Sequence, residues 1–177
     1  MSTLQFDKQE FPKEFVRSAL KDIRSPFEIA VCGVGNHFNM ATIIRTAHNF
    51  LCKKIYIIDG EGFYEKGTMG NHRFEDIVEL PLNVFTEIVT LEKRNLVVFE
   101  KRPGFKTKDI RLLEYPENPI LIFGSEKSGV PDILIEYGGG WSNTVSIPGY
   151  GVNNDLNVGV AAWIAMFDWV SKHNKIH

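Results

Sequence analysis

The sequence predicts an α/β fold built on a largely parallel sheet flanked by helices. Two features of the chain point to it. Short runs rich in β-branched and aromatic residues alternate with segments of helical period, the order expected of strand–helix–strand units. The runs are also nearly continuous in apolar residues, as strands covered on both faces are. With 177 residues and 44% hydrophobic content, the chain has material for one compact core and is short for two independent ones.

The elements follow in order. A helix over about 13–23 precedes the first strand, "FEIAVCGV" (27–34). The next helix, 40–50, sets Met40, Ile43, Ile44, Ala47 and Leu51 on one side. Strand "KIYIID" (54–59), helix 83–93, strand "NLVVFE" (95–100) and strand "PILIFG" (119–124) come next. A helix over 130–137 at a proline break, strand "NTVSIP" (143–148) and a final, almost uncharged helix over about 156–172 complete the pattern. "GGGW" (138–141) reads as a turn and not as a domain boundary, and no internal repeat is present.

Charge excludes a global electrostatic function. Twenty Lys+Arg are interleaved with 22 Asp+Glu for a formal net charge of −2, so an anionic partner has to be met by local patches. Cys32 and Cys52 are too few for a disulfide framework or a zinc cluster, and both lie in apolar surroundings. His37, His48, His72, His173 and His177 show no ligand spacing, so no metal is expected. The start of the sequence is charged, and no apolar run approaches the ~20 residues of a membrane span. A cytoplasmic protein with no membrane partner is the expectation.

In open α/β sheets, ligands bind at the carboxyl ends of the strands, which directs attention to four loops. "GVGNHFNMATIIRTAHNF" follows the first strand; there Asn39 can cap a helix whose second turn carries Arg45, either a solvated arginine or a functional one. "EKRPGFKTK" (100–108) concentrates Lys101, Arg102, Lys106 and Lys108, either a charged surface loop or a phosphate-contacting patch. "FGSEKSGVP" (123–131) lacks the Walker order of lysine after glycine, which excludes a nucleoside triphosphatase. In it Gly124 admits a ligand to the strand-end backbone and Glu126 projects toward that ligand. In "IPGYGVNNDLNVGVAA" (147–162), Asp155 is either the N-cap of the last helix or part of a bent segment, 149–154, that reads the edge of a planar ligand.

Taken in order, "NMATIIRTA", "FGSEKSGVP" and "IPGYGVNNDLNVGVAA" resemble the three motifs of the SpoU (TrmH-like) RNA 2′-O-ribose methyltransferases of the SPOUT class, over roughly 27–171. "KGTMGNHRFEDI" (66–77) is similar to the segment between the second and third strands of the small members. The resemblance implies a C-terminal trefoil knot, which physical priors alone disfavour. It also implies S-adenosylmethionine held in the knot and a homodimer that completes the active site. Residues 1–24 then form an N-terminal helical extension and 25–177 the SPOUT methyltransferase domain.

Carried over by motif, Arg45, Asn39 and Glu126 match catalytic positions, and Asp155 stands at the position of a functional serine. Glu100, Gly124, Ile147, Leu156 and Asn157 match the cofactor pocket. Three positions depart: Gly149 replaces a methionine, and Asp155 and Gly159 replace the serines flanking Leu-Asn-Val. A guanidinium stays protonated, so Arg45 is read as a clamp on an RNA phosphate that also stabilises a developing alkoxide. Asp155 is read as pairing with Arg45 of the partner chain and then accepting the 2′-hydroxyl proton, a role that requires burial in the closed site.

The small size and short N-terminal helix resemble the tRNA enzymes of the family rather than the large rRNA ones. Arg17, Lys21, Arg24 and the 101–108 loop are the expected phosphate contacts. The alternatives are a knotted RNA-binding protein with weakened catalysis and a methyltransferase for a non-RNA acceptor. In the last helix Val160, Trp163, Ile164, Phe167 and Trp169 are too many for one buried stripe, which points to packing against a second chain.

Overall fold

The computed structural model describes residues 12–152 and 155–173. Within them the helices are α1 (Lys13–Lys21), α2 (His37–Asn49), α3 (Leu82–Leu91), α4 (Asp132–Tyr137) and α5 (Val158–His173). The strands are β1 (Glu28–Cys32), β2 (Ile55–Ile58), β3 (Ile77–Leu80), β4 (Leu96–Phe99), β5 (Lys108–Asp109), β6 (Ile120–Gly124) and β7 (Val145–Ser146). They form one sheet in the order β3-β2-β1-β6-β4-β7-β5, every pairing parallel.

The continuous apolar runs are explained by burial on both faces. Along β1, Ile29 and Val31 face one core with Ile55, Ile57, Leu121 and Phe123, while Ala30 and Cys32 face the other with Tyr56, Ile58, Ile120 and Ile122. The first core is closed by Met40, Ile43, Ile44 and Ala47 of α2 and by Ala162, Ala165, Met166 and Trp169 of α5. The second is closed by Phe85 and Val89 of α3 and by Leu134 and Ile135 of α4. The acid inside β1, Glu28, is buried because Arg94 (2.7 Å), Lys53 (3.6 Å) and the Tyr56 hydroxyl (3.1 Å) satisfy it.

Two strands escape sequence reading. β3 is a four-residue, half-buried strand, and β5 is the polar pair Lys108–Asp109, held only by the free edge of β7. Between β2 and β3 the "KGTMGNHR" segment forms two 3-10 turns, Glu65–Thr68 and Asn71–Arg73, both packed on α2.

Three expectations are corrected. Asn36, and not Asn39, caps α2, its side chain accepting from the Phe38 and Asn39 amides at 3.0 and 3.3 Å. Arg24 is not a surface phosphate contact, because its guanidinium is 2.7 Å from the buried Glu75 carboxylate and also donates to the Phe74 and Cys52 carbonyls. Trp169 belongs to the core, packed on Phe27 with ring centroids 4.8 Å apart, and not to an outer face.

No helix among the described residues is long and apolar enough to cross a membrane. No group of three or more His, Cys, Asp or Glu among them could hold a metal ion. Residues 1–11 of the expected N-terminal extension, Asn153 and Asn154 of the bent turn, and His177 lie outside the described residues.

Candidate functional site

The carboxyl ends of β4, β6 and β7 open into a cleft of about 440 Å³. Its floor is apolar: Phe99 and Phe123 stack at 5.0 Å and 11°, joined by Val145, Ile147 and Val158. Its rim is ionic, carrying Glu100, Glu126 and Asp155 against Lys101, Arg102 and Lys127. A flat ligand of cofactor size with both charges and an apolar face fits this lining, and the volume lies within the ordinary range for ligand pockets.

Four of the five residues expected in the cofactor pocket, Glu100, Gly124, Ile147 and Leu156, line this cleft, as do Glu126 and Asp155. Asn157 stands at its edge, in a cluster that joins the three sequence motifs. The Glu126 Oε1 accepts from Asn39 Nδ2 at 2.9 Å, from Asn157 Nδ2 at 3.1 Å and from the Val158 amide at 3.3 Å. Asn157 Nδ2 also donates to Asn39 Oδ1 at 3.0 Å. Glu126 therefore turns onto protein donors while still lining the cleft.

Local geometry explains how each side chain is delivered. Asn157, and not Asp155, caps α5: its Oδ1 accepts from the Gly159 amide at 2.9 Å and more distantly from Val160. The helix begins at Val158, so Leu156 and Asp155 stay in the loop and face the cleft. Gly124, which lines the cleft, is also required by the packing of the protein itself. The chain doubles back so that Ser125 bridges Gly129, and a Cβ on Gly124 would collide with the backbone of Gly129 and Val130. Glu100 holds that loop in place, accepting from the Val130 amide at 2.6 Å.

Arg45 lies elsewhere. It is exposed on α2 and, among the described residues, its side chain makes no hydrogen bond or ion pair, so no pairing with Asp155 exists within the protomer. Asp155 itself has other interactions.

Sequence reading missed the pair Ser125 and Ser128, whose hydroxyls lie 2.8 Å apart on the cleft wall. It also overestimated the basic loop: the charge of Arg102 is paired with Asp132 at 2.9 Å, and Lys108, though exposed, donates to Asn143 at 2.7 Å, leaving Lys101 and Lys106 as the exposed cations with no side-chain partner among the described residues. The signal for the serines was present in the loop "GSEKSG", where a hydroxyl three residues from another can close a turn.

Comparison with known proteins identifies the fold and the family. The tRNA (guanosine(18)-2'-O)-methyltransferase of Aquifex aeolicus (strain VF5) is 23% identical over 157 residues, 86% of this chain and 72% of that protein. The crystal structure of an AdoMet-bound rRNA methyltransferase from Sinorhizobium meliloti superposes with a TM-score of 0.73 at 24% identity, over 88% of this chain but only 61% of that one. The TrmH/SpoU tRNA modifying enzyme of A. aeolicus superposes with a TM-score of 0.72 at 23% identity, over 88% and 79% of the two chains. The model of the SpoU rRNA Methylase family matches residues 26–167, which include all three motifs and every wall of the cleft; the chain belongs to that family.

Proposed function

We propose that this chain transfers a methyl group from S-adenosylmethionine to a ribose 2′-oxygen of RNA, with tRNA as the substrate, in the cytoplasm and as a homodimer. The observation that carries the reading is the Asn39–Glu126–Asn157 cluster beside the cleft, where three motifs distant in sequence meet at the carboxyl edge of a parallel sheet. The relative with tRNA in its name supports tRNA over rRNA. Residues 25–177 are then the methyltransferase domain, with the C-terminal segment threaded as a trefoil knot. The seating of 155–158 against the 124–130 loop and against Asn39 supports that threading.

When bound, the cofactor supplies a methyl group on a positively charged sulfur, whose S–C bond breaks as the ribose O–C bond forms. The residues of the chain do the rest. The apolar floor excludes water and the rim acids Glu126 and Asp155 favour a cation. Arg45 holds an RNA phosphate and steadies the developing alkoxide; exposed on α2, it acts on the cleft of the partner protomer. Asp155 accepts the 2′-hydroxyl proton once that shared site closes over it. Dimerisation is supported by Val160, Trp163 and Phe167, half-exposed along one stripe of α5, with the Trp163 and Phe167 rings stacked at 5.7 Å.

The experiment is transfer of labelled methyl from S-adenosylmethionine to unmodified tRNA transcripts, followed by alkaline hydrolysis. The expected result is a dinucleotide resistant to alkali, since a 2′-O-methyl group blocks cleavage. Cofactor binding without transfer to any RNA would favour the second reading, an RNA-binding protein with weakened catalysis. The specific observation behind that reading is Asp155 and Gly159 in place of two family serines. Transfer only to a non-RNA acceptor would replace both readings.

A further inference from the structure

We propose that the turn Arg102-Pro103-Gly104-Phe105 carries a stacking platform for an unpaired base of the RNA, with Phe105 as the residue that meets it. The inference rests on RNA being the substrate. It begins with the turn itself: Pro103 in second place, Gly104 at φ +86° in third, and the Phe105 amide donating to the Arg102 carbonyl at 3.3 Å. That combination makes a tight turn whose third residue has to be left-handed. Its consequence is that residues 102 and 105 reach the same indole. The Phe105 ring lies 4.2 Å from the Trp141 ring at 27°, and the Arg102 guanidinium lies 4.8 Å from the centre of that ring.

Two members of this stack are fixed. Arg102 is held by Asp132 at 2.9 Å and by the Val130 carbonyl at 3.2 Å, and Trp141 packs against the α3/α4 core. Phe105 remains 50% exposed, an apolar ring set on a rigid base rather than folded into the core.

Its surroundings identify the partner. Arg102 is shared, lining the cleft and stacking on Trp141, so the platform is continuous with the cleft. Asp132 offsets the charge of Arg102, and the net positive charge comes from Lys101, Lys106 and Lys108, all exposed and without an ion pair among the described residues. An aromatic face flanked by cations beside a cleft suits a nucleobase with its phosphates, because every base has a π-face and the lysines meet the backbone. The base would belong to a nucleotide flanking the one whose ribose enters the cleft.

The test is binding of a fluorescent unmodified tRNA transcript by the full chain, by anisotropy at several salt concentrations. Phe105→Ala and Phe105→Leu should each weaken binding by roughly 5- to 150-fold with an unchanged salt slope, and Phe105→Trp should retain it. Lys106→Ala should instead lower the slope by about 1, the signature of one lost phosphate contact. Cofactor affinity, measured by calorimetry, should be unaltered in the Phe105 variants. Wild-type affinity in Phe105→Ala, full affinity in Phe105→Leu, or a changed slope in either overturns the platform while the methyltransferase reading stands. A wild-type chain that binds no RNA overturns both.

Discussion

Asn39 and Glu126, 87 residues apart, are joined by a 2.9 Å hydrogen bond from Asn39 Nδ2 to Glu126 Oε1. The same oxygen accepts from Asn157 Nδ2 and from the Val158 amide, so one carboxylate ties α2, the loop after β6 and the start of α5 together. Glu126→Ala removes one acceptor from three donors. Each such bond contributes about 1 kcal/mol net, and the cluster is open enough for water to replace part of it. Urea denaturation should show a loss of about 1–2 kcal/mol. Calorimetry should show weaker cofactor binding, because Leu156 loses its anchor.

Arg45 and Asp155 make no contact within the protomer, yet both are assigned to one reaction. If the site is shared between two chains, Arg45→Ala should lose transfer by two or more orders of magnitude, about 3 kcal/mol, with cofactor affinity retained. Arg45→Lys should be nearly as poor, since an ammonium lacks the guanidinium fork. Asp155→Asn should also be inactive. Mixing the two inactive chains and allowing exchange should restore activity, because one site of each mixed dimer then carries both native residues. No recovery, with mixed dimers demonstrated by mass spectrometry, would place both residues in one protomer's site.

Arg24 tests a different link, from the N-terminal segment to the sheet. Its guanidinium side chain is 11% exposed and the Glu75 side chain 1%, and His48 Nδ1 reaches the same carboxylate at 2.7 Å. Removing one partner of a buried pair leaves the other charge uncompensated, so Arg24→Ala should lower unfolding stability by about 3 kcal/mol. The salt slope of RNA binding should not change, in contrast to Lys106→Ala.

The two cysteines predict a pH effect. Burial, then the nearby Asp59, pushes the Cys32 thiol up to about 12, and burial raises Cys52 as well, above an ordinary value of 9.0. The folded protein thus holds these protons more tightly than the unfolded chain. The stability they contribute is fully present below about pH 9 and is lost as pH rises toward 12. A thiol reagent at pH 8 should find no reactive cysteine in the native protein and both in denaturant. Rapid native labelling would contradict the burial.

The sequence by itself determined the layers and the address of the site. Runs such as 120–123 and 55–58 are apolar at every position because helices cover both faces of the sheet, and that property is local and legible. The stretches "NMATIIRTA", "FGSEKSGVP" and "DLNV" could likewise be set at strand ends, where ligands gather. The tertiary structure alone decided which polar residue does what. Asn39 reads as a plausible cap in "GNHFN", yet Asn36 takes the helix end and Asn39 reaches the distant Glu126 and Asn157. Asp155, read as a possible cap of the last helix, likewise yields that place to Asn157 because α5 begins at Val158. Arg24 reads as a surface cation until Glu75, 51 residues away, is folded against it. β5 has no strand pattern of its own and exists because β7 offers an edge. Hydrophobic periodicity is written in neighbouring residues, whereas the partner of a hydrogen-bonding or charged side chain is chosen across the fold, where spacing along the chain carries no information.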